Sequence, residues 1–163
     1  MFWPVRHGTL GVPPDRPATT FLEGPMTPLA EHARRQIDFA IAADWPALAA
    51  VYHPDAGYRD PDLTLSGRDE IVDRLRGQVE AMPGCAAAVS YTHTDSGHAP
   101  DDGTAGSGTV VLEWTLSAPT GADTHVTLDI VTVYEFRDGL ITAERNYWDN
   151  SALASQLGLE AVT

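Results

Sequence analysis

The stretch Thr124–Gly158, THVTLDIVTVYEFRDGLITAERNYWDNSALASQLG, decides the fold expected for this chain. Its first half has a period of two and is rich in β-branched and aromatic residues, which predicts a long strand. Asp138-Gly139 is typical of a tight turn with positive φ, and Leu140–Trp148 then predicts a second, antiparallel strand. Asp149-Asn150 and Ser151 offer caps for a short closing helix that Gly158 can end. One face of the first strand should carry Val126, Leu128, Ile130, Thr132, Tyr134 and Phe136.

Three helical patterns precede this hairpin. Thr27 can cap the first helix with Pro28 in its first turn, and Asp44 can cap a second over Trp45–Tyr52. A capping box at Ser66–Asp69 predicts the start of a third helix. Its buried stripe should hold Ile71, Leu75, Val79 and Met82. Further strands are expected over 86–94 and 109–117, with a loop over 95–108 and a turn over 118–123. Helices followed by antiparallel strands predict an α+β fold.

Composition excludes several classes of function. The 163 residues fit one domain, and their formal net charge of −13 comes from ten arginines and no lysine against 23 carboxylates. Schiff-base chemistry through a lysine is therefore excluded, and binding to nucleic acid or an anionic membrane is disfavoured. No run is apolar enough for a membrane span. The single Cys85 cannot form an internal disulfide, which fits a reducing, cytoplasmic compartment.

Residues 1–25 differ from the rest because they hold five prolines and no continuous apolar stretch. They predict an irregular arm or tail ahead of a domain over residues 26–163, and Met26 could be the true start. An exposed tail is the simpler interpretation. The alternative is an arm that packs on a partner subunit through Phe2, Trp3 and Phe21.

Four pieces of the chain, HPDAGYRDPD, SGRDEI, VYEFRDGLI and NYWDNSALASQLG, together resemble the SnoaL-like branch of the nuclear-transport-factor-two-like superfamily. The resemblance covers roughly Met26 to Leu159. It implies a cone-shaped fold, in which three N-terminal helices on a strongly curved antiparallel sheet enclose a pocket. It also implies a homodimer through the outer sheet face. The superfamily includes isomerases, polyketide cyclases, epoxide hydrolases and proteins without catalysis, so the fold alone does not give the function.

Similarity to ketosteroid isomerase implies that Asp60 is the general base, since it falls where that enzyme keeps its aspartate. In that enzyme, a worked example of pKa tuning, the base is joined by an oxyanion hole of a tyrosine and a protonated aspartic acid. The corresponding positions here are Gln36 and Thr132, which are weaker donors.

Similarity to limonene epoxide hydrolase implies roles for a second set of residues. Tyr58 and Asp60 fall where that enzyme holds its water, and Glu113 matches one carboxylate of its catalytic triad. The other two triad positions are Val111 and Asn146, so that mechanism is altered. The cyclase branch, which commonly uses one aspartate or a carboxylate pair as acid and base, is contradicted least.

Glu113 has two opposed interpretations. Strand parity puts it with Val111 and Thr115, away from Leu112 and Trp114, and by itself indicates an exposed carboxylate. The family match implies instead that it faces the pocket with Asp60. Two carboxylates in one cavity would have separated pKa values, one suited to take a proton and one to give it.

The remaining candidates would bind substrate. Tyr58 and Asn146 could donate hydrogen bonds to a substrate oxygen, although Tyr58 could equally be a core aromatic. The expected pocket wall consists of Gln36, Val111, Leu128, Ile130, Thr132 and Trp148. The histidines show no metal-binding spacing, and no phosphate loop or dinucleotide fingerprint occurs, so we expect no metal or nucleotide cofactor.

These observations predict a cofactor-free acid–base enzyme that cyclises or isomerises a small hydrophobic polyketide- or terpenoid-like carbonyl compound. Asp60 would take the proton, and Glu113, Tyr58 or Asn146 would stabilise or protonate the oxygen. Epoxide opening with Glu113 as the acid is one alternative. A non-catalytic ligand-binding or scaffold dimer is another, favoured if Glu113 is exposed and Asp60 lies in a structural salt bridge.

Overall fold

The computed structural model describes residues 27–96, 106–120 and 124–158. The arm expected over residues 1–25, with Phe2, Trp3 and Phe21, lies outside the described residues, as does most of the loop expected over 95–108. The elements in chain order are α1 (Pro28–Ile41), α2 (Trp45–Ala50), β1 (Tyr52–Arg59), β2 (Thr64–Ser66), α3 (Arg68–Ala81), β3 (Ala86–Ser96), β4 (Gly108–Pro119), β5 (His125–Arg137), β6 (Leu140–Tyr147) and α4 (Asn150–Gln156).

A single six-stranded sheet in the order β2-β1-β6-β5-β4-β3 forms one layer of the fold. The C-terminal strands β3 to β6 pair with their neighbours in antiparallel fashion. The hairpin between β5 and β6 turns through Asp138 and Gly139 at φ values of 52° and 77°, as the sequence predicts. The sheet departs from the expected all-antiparallel pattern at one place, where β1 lies parallel to β6. Extra residues interrupt the pairing register in β3 opposite β4, in β1 opposite β6, and in β6 opposite β5, and such bulges bend strands.

The helices form the second layer and begin largely where their caps predict. Thr27 and Asp44 accept backbone hydrogen bonds at the starts of α1 and α2, and Asp149 does so at α4. The capping box predicted for α3 is wrong, because Ser66 is the last residue of β2 and the cap position is Gly67, without a side-chain bond. The chain turns there with a φ of 104°, which glycine tolerates. None of the described helices is long and apolar enough to cross a lipid bilayer.

The core lies between the sheet and the helices α1, α2 and α3. Ala33 and Ile37 of α1, Leu48 of α2 and Ile71 of α3 are almost completely buried against it. The predicted stripe of α3 continues beyond Ile71, but Leu75, Val79 and Met82 are only partly buried. These three side chains border a cavity, and Leu75 also packs against the core.

Candidate functional site

A cavity of about 280 Å³ opens between α1, α3, α4 and the sheet. Its walls are mostly aliphatic and aromatic, which is typical of sites for small apolar ligands. The apolar lining comprises Ile37, Ala40, Ile41, Leu75, Val79, Ala81, Met82, Trp114, Leu116, Val126, Leu128, Ile130, Trp148 and Leu153. The polar groups lining it comprise Gln36, Tyr58, Asp62, Gln78, Cys85, Glu144, Asn146 and Asn150.

Glu144 of β6 is the carboxyl group that faces this cavity from within the core. It is 3% exposed, and each of its oxygens accepts one hydrogen bond. The amide of Asn146 donates to Oε1 at 2.8 Å, and the hydroxyl of Tyr52 donates to Oε2. Burial raises the pKa of Glu144 from 4.5 to about 7, against the lowering effect of these two donors, and the charge of Asp60 adds to the rise.

Two chains of hydrogen bonds converge on Glu144. Behind Tyr52, the side chain of Gln36 bridges Tyr52 and Tyr134. Behind Asn146, the Trp114 indole donates to Thr132 Oγ1 at 2.9 Å, and Thr132 donates to Asn146 Oδ1 at 2.6 Å. Burial together with the charge of Glu144 raises the pKa of both Tyr52 and Tyr134 well above the usual range for tyrosine. Both hydroxyls therefore remain protonated donors at physiological pH.

Asp60 forms a separate cluster at the end of β1. Its Oδ1 accepts from the backbone N–H groups of Asp62 and Leu63, and its Oδ2 accepts from Tyr58 and from two nitrogens of Arg74. The ion pair with Arg74 has an N–O distance of 2.9 Å, and the side chain of Asp60 is 0% exposed. All five bonds are donated to Asp60, which is the environment of an ionised carboxylate.

The sequence matches the model of the SnoaL-like domain over residues 33–144, which is more than half of the chain. The chain belongs to the SnoaL-like family. No curated protein matches it.

Solved structures share the fold of this SnoaL-like domain at low sequence identity. A Catenulispora acidiphila DSM 44928 protein with a ketosteroid isomerase-like fold, in complex with trimethylamine, is 21% identical at a TM-score of 0.61, over 79% of this chain and 93% of that chain. TerC, co-crystallised with polyporic acid, is 20% identical at a TM-score of 0.64, over 81% and 99%. An epoxide hydrolase from M. tuberculosis, similar to limonene epoxide hydrolase, is 19% identical at 0.60, over 80% and 89%. Identities this low establish the fold and leave the activity open.

Six of the side chains predicted for the site of this SnoaL-like protein lie on the cavity wall, namely Gln36, Tyr58, Leu128, Ile130, Asn146 and Trp148. Thr132 points to the same side of the sheet, but it is 0% exposed and lies behind the lining, where it joins Trp114 to Asn146. Asp60 lies next to the cavity behind Tyr58, in a cleft at the strand ends rather than in the cavity lining.

Glu113 and Val111 lie on the opposite face of the sheet, so their predicted positions in the pocket are wrong. Glu113 is exposed, whereas Leu112 is buried and Trp114 lines the cavity. Strand parity, which indicates an exposed Glu113, describes this strand better than the family match does. The epoxide-opening alternative used Glu113 as the acid. Because Glu113 does not face the cavity, that alternative has no proton donor in the form predicted.

Glu144 was missed by the sequence analysis, although a signal for it existed. It lies two residues before Asn146 and four before Trp148, so the alternation that puts those two on the cavity face includes Glu144 as well. Tyr52 was missed because it was assigned to the end of α2, whereas it is the first residue of β1.

Among residues 27–96, 106–120 and 124–158, no cluster of three or more histidine, cysteine or carboxylate side chains could hold a metal ion.

Proposed function

We propose that this SnoaL-like protein is a cofactor-free acid–base enzyme that cyclises or isomerises a small hydrophobic carbonyl compound, and that Glu144 moves the proton. The observation that carries the proposal is a buried carboxyl group at the polar end of an apolar cavity. Its pKa of about 7 means that both protonation states are populated at neutral pH. Such a group can accept a proton in one step and return it in the next.

In the proposed reaction, ionised Glu144 takes a proton from the carbon next to the substrate carbonyl, and the electron pair moves onto the carbonyl oxygen. The amide of Asn146 has two N–H hydrogens, of which one binds Glu144. The other is the donor that we assign to the developing enolate oxygen. Glu144 then returns the proton to a second carbon, or to the oxygen formed when the enolate attacks within the same molecule.

Asp60 has a supporting role in this proposal. Its assignment as the base stays a prediction, but at least one donor at the oxygen that takes the proton would first have to leave. Its negative charge raises the pKa of Glu144. The pair of Asp60 and Glu113 expected from the sequence is therefore replaced in this proposal by Glu144 alone as the proton-transfer group, with Asp60 acting through its charge.

The experiment compares Glu144→Gln with Glu113→Gln, the same chemical change on opposite faces of the sheet. We expect Glu144→Gln to lower turnover on a panel of small aromatic and alicyclic carbonyl compounds by about 100- to 10,000-fold. Glu113→Gln should retain the wild-type rate. Equal activity of the two variants on a compound that the wild type converts would show that Glu144 takes no part in the reaction.

A binding protein without catalysis is the second candidate, and two observations favour it. Glu113 is exposed, and Asp60 is held in a buried ion pair with Arg74. The trimethylamine and polyporic acid complexes of the structural relatives are likewise consistent with small-molecule binding. The panel separates the candidates, because a ligand that binds at Glu144 and is recovered unchanged supports binding alone.

A further inference from the structure

A chain of three hydrogen bonds runs from β5 to the carboxyl group of Glu144, and every donor in it points the same way. The Tyr134 hydroxyl donates to Gln36 Oε1 at 2.8 Å, and Gln36 Nε2 donates to the Tyr52 hydroxyl at 2.8 Å. Tyr52 then donates to Glu144 Oε2. Gln36 is 3% exposed and each tyrosine 1%, so bulk water cannot replace a lost partner.

The direction of the chain depends on how the Gln36 amide is oriented. With its oxygen toward Tyr134, the amide presents an N–H to Tyr52, and Tyr52 gives its only hydrogen to Glu144. If the amide turned over, Tyr52 would donate to Gln36 and could no longer donate to Glu144. The first orientation is favoured because the Gln36 oxygen then accepts the hydrogen of the Tyr134 hydroxyl. If the amide were turned over, its N–H would face Tyr134, and the Tyr134 hydroxyl would have no acceptor on Gln36.

We propose that Tyr134 and Gln36 are positioning residues that hold Tyr52 as a fixed donor, so that protonated Glu144 can give its proton only to a ligand in the cavity. The other carboxyl oxygen also receives a donor, the amide of Asn146. Both protein neighbours bonded to Glu144 are therefore donors among the residues that the structure describes. This inference rests on the proposed role of Glu144, and it adds Gln36, two hydrogen bonds from the carboxyl group, and Tyr134, three hydrogen bonds away.

The titratable and charged groups around Glu144 come from several elements. Tyr52 and Tyr58 face it from β1, Tyr134 from β5, and Asp60 with its partner Arg74 from the end of β1 and from α3. The group that α1 presents is Gln36, which does not titrate. A donor held on the carboxylate stabilises the ionised form, so loosening the chain should shift the Glu144 titration upward.

The test follows the titration of Glu144 itself by carbon-detected NMR without substrate, with the resonance assigned through Glu144→Gln. Tyr52→Phe removes the direct donor and should raise the midpoint by about one pH unit. Tyr134→Phe leaves that donor in place and should raise the midpoint by a smaller, measurable amount. Tyr147→Phe, on the opposite face and 46% exposed, is the matched control and should leave the midpoint unchanged.

The double variant Tyr52→Phe/Tyr134→Phe decides whether Tyr134 acts through Tyr52. If it does, the double variant titrates like Tyr52→Phe alone. A contribution through Thr132 and Asn146 would instead leave an additional shift in the double variant. Additive shifts, or no shift in Tyr134→Phe, would overturn the proposal. Gln36→Met breaks the same chain and replaces Tyr134→Phe if that variant does not fold.

Because the titration needs no substrate, its outcome is separate from that of the proposed function. If the titration is coupled but the protein turns over no carbonyl compound, the positioning role of Tyr134 and Gln36 stands and the proposed enzymatic function fails. If turnover depends on Glu144 but the titration is not coupled, the proposed function stands and the positioning role fails.

Discussion

At the scale of single residues, the ionisation of Glu144 makes the free energy of unfolding depend on pH. Its pKa is raised from 4.5 to about 7 in the folded protein, so the folded state binds its proton more tightly than the unfolded state does. Below pH 4.5 both states hold the proton, and the contribution to stability is greatest. Between the two pKa values the unfolded chain ionises first, so stability falls as pH rises.

We therefore expect the free energy of unfolding of the wild type to fall by about 3 kcal/mol between pH 4.5 and 7.5 because of Glu144. This decrease should be absent in Glu144→Gln. Urea denaturation of the wild type and the variant at several pH values measures this loss. Glu113→Gln should keep the wild-type pH dependence, because that side chain is exposed. Parallel curves for the wild type and Glu144→Gln would mean that Glu144 titrates as an ordinary surface carboxyl.

The same residue shows how far the sequence can locate a site. The alternation along β6 contains enough information to place Glu144 beside Asn146. The alternation along β4 likewise places Glu113 on the outer face, and the prediction failed only where a family match was preferred to it. The Asp60–Arg74 pair could not be predicted, because it joins a strand end to a helix whose position depends on tertiary packing.

At the scale of elements, local signals predicted the helix starts and the β5–β6 hairpin well. Thr27, Asp44 and Asp149 act as caps because their oxygens satisfy backbone N–H groups, and that requirement is local. The parallel pairing of β1 with β6 was not predicted, because Tyr52 and Ile141 are distant in sequence and periodicity does not choose a strand's partner.

Helix α4 is weakly attached to the rest of the described structure. It has no buried residue, yet Asn150 and Leu153 border the cavity. The Asp149 cap and hydrogen bonds between Gln156 and the backbone of Thr127 hold it in place.

We expect Asp149→Ala to speed amide hydrogen exchange across α4, since the backbone N–H groups of Ser151 and Ala152 lose their acceptor. The melting temperature should change little. Asp44→Ala, which removes the cap of α2, is the comparison. Leu48 fixes α2 in the core at 0% exposure, so its amides should exchange slowly despite the missing cap. Unchanged exchange in α4 would show that its cap is dispensable.

At the scale of the whole molecule, the outer sheet face determines how copies of this chain could associate. Val131 and Tyr147 are cross-strand partners there, exposed by 36% and 46%. A net charge of −13 makes two copies repel each other, and salt screens that repulsion. The homodimer implied by the family resemblance stays a prediction.

If the predicted dimer forms through this face, Val131→Asp should shift the protein toward monomer in sedimentation experiments, and added salt should favour the wild-type dimer. Leu157→Asp tests the specificity of the effect, because Leu157 is 45% exposed but lies at the end of α4 and not on a strand. Dissociation by Leu157→Asp and not by Val131→Asp would move the interface to the C-terminal helix.

The parallel contact between β1 and β6 sets an order of events during synthesis. A nascent chain leaves the ribosome from its N-terminus, so Tyr52–Arg59 emerges long before Leu140–Tyr147. Until then β1 has β2 as a pairing partner but lacks β6, and Tyr52 lacks the carboxyl group to which it donates in the folded protein. Distant contacts of this kind close slowly. We therefore expect ribosome-bound chains that stop before β6 to lack the assembled cavity, and the hydrogen bonds around Glu144 to form in one late, cooperative event.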